Sequence, residues 1–105
     1  MATQLLNNAT TTGPGPTVTI RSSTMAYIYK SFQAIGTMST GTGSSTIKIE
    51  VSNDGVNFIT LGTIGLTLST TAATDGFACS VTWAFVRANI SAITANGIVT
   101  VLMEP

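Results

Sequence analysis

The chain has 105 residues, with four Lys and Arg against four Asp and Glu, no His, one Cys, and a charged fraction of only 8%. No row of phosphates can be neutralised by so few cations, no imidazole is present for acid–base or transition-metal chemistry, and one thiol cannot build a disulfide or a zinc site. Nucleic-acid binding and most hydrolase and metalloenzyme designs are therefore excluded.

Surface scaling gives about 5,500 Å² exposed for one folded domain of this mass, enough burial for one core and not for two. The 44% hydrophobic content lies outside the regime of disordered chains. Ser and Thr together number thirty, twenty of them Thr, so the surface is expected to be hydroxyl-rich and nearly uncharged. No basic segment precedes an apolar run at the N-terminus, and no stretch approaches the roughly 18 apolar residues of a membrane span. The expectation is a soluble protein made without a cleaved signal and with no membrane partner.

In chain order, residues 1–16 hold a Thr/Asn tract without core periodicity and then Gly13, Pro14, Gly15 and Pro16. They read as an arm or an edge extension, with 17–105 as the body. Within the arm, Gln4, Leu5 and Leu6 can add a strand to a neighbouring sheet through main-chain hydrogen bonds; a frayed terminus is the plain alternative. Thr17 to Ser22 alternates Val18 and Ile20 with polar residues, and Met25 to Met38 is either one bent strand or two. Ser39 to Ser45 is a short flexible loop.

The clearest pair is STIKIEVS, NDG, VNFITLG. Ile47, Ile49 and Val51 alternate with Lys48 and Glu50, as in a half-buried antiparallel strand, and Asn53, Asp54 and Gly55 suit a tight turn. Further strands are expected from Ile64 to Thr70, in FACSV, in TWAFVRANI, and in IVTVLME after a turn at Asn96 and Gly97. No helical periodicity competes with them. Seven or eight short strands predict an all-β fold, an antiparallel two-sheet sandwich or jelly roll with an extended N-terminal arm.

The carboxylates Glu50, Asp54, Asp75 and Glu104 fall on a polar strand face, in two turns and at the chain end, which are structural positions; no catalytic pair is expected. Asp54 or Asp75 can contribute to a calcium site together with backbone carbonyls, although turn roles explain both. No Ser or Thr stands in a nucleophile motif beside a base. No catalytic residue, metal or cofactor is thus expected, and the protein reads as a non-enzyme. Cys79 reads as a buried free thiol. Trp83 and Phe85 read as core. Tyr27 and Tyr29 share a strand face and suit either a core or a half-wet interface, such as a protein contact or a sugar platform. A surface with so little charge is permissive of close contact, so a homo-oligomer or docking on a larger lattice is expected.

The run SNDGVNFITLGTI (Ser52 to Ile64), followed by WAFVRANISAI (Trp83 to Ile93) and a closing strand, resembles a family of small β-sandwich virion proteins of tailed bacteriophages. A more distant likeness is to discoidin-type and carbohydrate-binding jelly rolls, carried by Ser52, Asp54, Gly55 and Phe58 in the hairpin and by Val86 and Arg87 in the later strand. The first resemblance implies a capsid cement or decoration protein on the capsid surface, assembled in the host cytoplasm and bound to the major capsid protein or other virion proteins. A neck or tail component, or a carbohydrate-binding module of an adhesion device, is the alternative. The candidate interface residues are Gln4, Leu5 and Leu6 of the arm and Tyr27 and Tyr29 of the strand face.

Overall fold

A computed structural model describes residues 3–20 and 29–104, which contain nine strands and no helix. The strands are β1 (Thr3–Ala9), β2 (Gly13–Pro14), β3 (Val18–Thr19), β4 (Tyr29–Met38), β5 (Gly43–Ser52), β6 (Ile59–Leu68), β7 (Ala73–Ser80), β8 (Phe85–Ile93) and β9 (Gly97–Glu104). One sheet has the order β1-β9-β4-β7; the other has β2-β8-β5-β6, with β3 also paired to β8. All pairings are antiparallel.

The pairing is nested. β5 pairs with β6, β4 with β7, β2 and β3 with β8, and β1 with β9, so the chain behaves as one long hairpin rolled onto itself. That is a jelly roll, one of the two architectures the sequence predicts. Its exposed surface, 5608 Å², matches the value expected for a single compact domain of this mass.

Strand alternation fills the space between the sheets. Phe32, Ala34 and Met38 of β4, Ile47, Ile49 and Val51 of β5, Ile64, Leu66 and Leu68 of β6, Val86, Ala88 and Ile90 of β8, and Val99, Val101 and Met103 of β9 are all buried. Each series has period two, so one face of each strand supplies the core. Phe77 of β7 lies against Phe32 with ring centroids 5.3 Å apart, joining the edge strand to the core.

Four expectations need correction. Residues 1–16 do not form a free arm: β1 pairs with β9 of the same chain, β2 pairs with β8, and Leu5 is completely buried in the core. A boundary at residue 16 therefore divides nothing, since β2 and β3 on either side of it share one partner strand. The β5–β6 turn is longer than the tight one expected, because side-chain hydrogen bonds from Ser52 and Asp54 organise residues 53–58 and the second strand begins only at Ile59. Phe85 is not core; it lies in register with Ser52, and Gly55 passes over its ring, where a Cβ would stand 3.5 Å away. Trp83, by contrast, does pack against the core, and Cys79 is half-buried there.

Candidate docking surface

Rolling the hairpin sends its connections to two opposite ends of the sandwich. At one end lie the β1–β2, β4–β5, β6–β7 and β8–β9 connections, residues 10–12, 39–42, 69–72 and 94–96. Their sequences are Thr-Thr-Thr, Ser-Thr-Gly-Thr, Ser-Thr-Thr-Ala and Thr-Ala-Asn, without a charge or a large apolar side chain. At the other end lie the β5–β6 and β7–β8 connections and the start of β4. The three large hydrophobic residues exposed among the described residues are all there: Tyr29 (61%), Val56 (76%) and Ile59 (53%).

The loop that displays Val56 is rigidly built. Ser52 Oγ donates to Asp54 Oδ1 at 2.7 Å and accepts from the Asp54 and Gly55 amides at 3.1 and 2.8 Å. Asp54 Oδ1 in turn accepts from the Val56 and Asn57 amides at 2.9 and 2.8 Å, and Oδ2 from the Asn57 side-chain amide at 2.9 Å. Gly55, with φ of 74°, makes the bend that a side chain would strain. Asn53 Oδ1 accepts from the Ala84 amide at 3.1 Å and so ties the loop to the β7–β8 connection. At the foot of the loop Phe58 stacks on Arg87, 3.9 Å from guanidinium carbon to ring centroid. Arg87 Nε donates to Glu50 Oε1 at 2.8 Å, and Asn89 Nδ2 to Glu50 Oε2 at 3.2 Å. Val56 is thus an apolar side chain held in water by a fixed scaffold, which lowers the entropy lost when a partner covers it.

Hydrogen bonds to Asp54, first from the Asn57 and Val56 amides and then from the Ser52 and Asn57 side chains, hold its carboxyl well below the ordinary value of 3.8. A carboxylate depressed in the folded state stabilises the fold fully above its unfolded value, and that contribution is lost as pH falls through the folded value. Acidification is therefore expected to leave the loop intact at pH 3.8, with the Asp54 carboxyl titrating lower. A side-chain carbon shift titration by NMR checks this, and a midpoint at or above 3.8 contradicts the hydrogen-bond network.

Among the described residues, the expected interface residues are not brought together. Gln4 is exposed on β1 opposite Leu102; Leu5 is core; Leu6 is half-buried and packs on the core. Tyr27 lies outside the described residues. Tyr29 is exposed at the apolar end. Ile59 opens β6 as the sequence predicts, whereas Val56, expected in the same strand, lies in the loop; the signal for this is the Ser52-x-Asp54-Gly55 pattern, whose side-chain bonding extends the loop past Val56. Among the described residues no group of three or more Cys, Asp or Glu gathers to hold a metal ion, and the Asp54 oxygens already accept the bonds above.

No family model and no curated protein matches this chain. Among solved structures the chain is similar to the crystal structure of PBSX exported protein XepA, with a TM-score of 0.56 and 12% sequence identity. The alignment covers 98% of this chain and 36% of that one, so this chain corresponds in length to about a third of that protein. The likeness is one of fold, an entire jelly roll aligned within a longer polypeptide.

Proposed function

We propose that this protein is a non-enzymatic structural component of a tailed-bacteriophage particle, a cement or decoration protein that docks on the capsid exterior and bridges major capsid subunits. The observation that carries the reading is the segregation of exposed residues: Tyr29, Val56 and Ile59 at one end, and four loops of small hydroxyl and amide residues at the other. An apolar end held by a rigid loop is suited to burial against a partner, whereas the Thr-rich end is suited to water. The fold likeness to PBSX exported protein XepA supports the same reading, as does the sequence resemblance to small virion sandwiches.

The docking contact is small, so occupancy depends on many repeated sites. Purified chain mixed with capsids that lack it is expected to co-sediment. Val56→Asp and Ile59→Asp together put two charges into the contact and are expected to abolish co-sedimentation, with the melting temperature within a few degrees of the parent because both side chains are already exposed. Full retention of the double variant removes this end from the contact. Co-sedimentation with isolated tails and not with heads moves the protein to the neck or tail. Saturable glycan binding lost on Tyr29→Ala favours the carbohydrate-binding alternative.

A further inference from the structure

Two sheets that do not close into a barrel leave four edges, and three of these carry features that discourage pairing with another chain. β1 is irregular, with register shifts between Gln4 and Leu6 and between Leu6 and Ala9, and Asn8 at a φ of 51°. β2 and β3 are two residues each, and Pro14 has no N–H to donate. β7 carries Asp75 in register with the buried Ala34, a charge at the rim of the core that a pairing strand would have to cover. Short, bulged, proline-bearing and charge-bearing strands are the usual means of protecting a sheet edge.

Apart from one register shift near its start, β6 has none of these protections. It is ten residues long without a charge or a proline, and its one register shift lies near its start, opposite Ile49 and Glu50, so that Gly62 to Leu68 run regularly along β5. Among the described residues no hydrogen bond beyond its pairing with β5 involves this strand. Its sequence also has internal symmetry. Reading outward in both directions from Gly65, Ile64 matches Leu66, Thr63 matches Thr67, and Gly62 matches Leu68 as small against large.

From this we infer that the partner of the open β6 edge is a second copy of the same chain, paired antiparallel about a two-fold axis at Gly65. In that register Thr63 of one copy faces Thr67 of the other on the outer surface, a favourable cross-strand pair that occurs twice. Ile64 faces Leu66, extending one core into the next. A Cβ at Gly65 meets nothing within 4 Å, so the axis position is unobstructed. The seven residues that pair about this axis, Gly62 to Leu68, span about 23 Å, and an edge wall roughly 20 Å deep gives on the order of 900 Å² for both copies, the size of a weak, reversible contact. Antiparallel pairing points the two apolar ends in opposite directions. If the proposed function holds, the dimer is a two-ended clamp of the kind a bridging protein requires.

Sedimentation equilibrium of the full chain tests the pairing without any capsid, so its result stands apart from that of the docking experiment. The expected result is a concentration-dependent mass rising from 10.8 kDa towards twice that value. Gly65→Lys places two like charges opposite each other at the axis and is expected to weaken association at least about tenfold while leaving the dilute protein folded. Register is read from two double variants. Thr63→Glu with Thr67→Lys sets opposite charges face to face and is expected to keep the dimer, and Thr63→Glu with Thr67→Glu sets like charges face to face and is expected to lose it. A monomer at every concentration, an odd-numbered oligomer, or equal behaviour of the two double variants overturns the inference.

Discussion

Removal of residues 1–12 is expected to unfold the domain and not to liberate a soluble body. β1 covers one side of β9 along much of its length, and Leu5 enters the core with no residual exposure. Leu6 and Ala9 pack against the same cluster. The truncation therefore strips an edge from one sheet and opens a cavity in a core that serves the whole molecule. The single substitution Leu5→Ala isolates the second effect, and a fully buried Leu truncated to Ala costs about 2–5 kcal/mol. In a domain of this size that lowers the melting temperature by roughly 10 °C or more. Leu6→Ala, at a half-buried position, is expected to cost clearly less. Urea unfolding of the three variants measures the series, and a truncated chain that keeps the parent's midpoint would falsify the placement of β1 in the sandwich.

The reason β1 escaped sequence reasoning is physical. Only Leu5 of its seven residues is fully buried, and two register shifts break the alternation that marks a strand, so Thr3 to Ala9 carries no period of two. The β5–β6 pair was legible for the opposite reason: Ile47, Ile49 and Val51 are wholly buried and the polar residues between them are not. The nine-strand, two-sheet architecture follows from many segments of that type. The apolar end was not legible, since it is assembled from residues 27 positions apart in the chain, Tyr29 and Val56, brought to one end by the rolling of the hairpin. Phe85 was misplaced by the same kind of effect: its neighbours Ala84 and Val86 are buried, and what shelters it is a loop thirty residues earlier.

Gly76→Ala is the second substitution expected to have a large effect, and the contrast with Gly65→Ala makes it decisive. Among the described residues β7 pairs only with β4, and at Gly76 it runs so close that a Cβ would overlap the carbonyl oxygen of Phe32 and lie 3.1 Å from the Cα of Gln33. Both are backbone atoms of a central strand held on its other side by β9, so β4 has no freedom to give way. β7 must retreat, and with it Phe77, whose ring stacks on Phe32 and fills the space above Gly62. One methyl group thereby loosens the closure of the sandwich along its β6–β7 side. Overpacking of this kind costs about 1–3 kcal/mol or more, and here the loss of the Phe32–Phe77 contact adds to it. At Gly65 the same methyl group meets open space, and the extended backbone accepts it, so Gly65→Ala is expected to be neutral or to stabilise by about 0.4–1 kcal/mol through the unfolded chain. Melts of both variants at a concentration low enough to hold the chain monomeric give the comparison. Equal midpoints would mean that β4 and β7 stand further apart than their register implies.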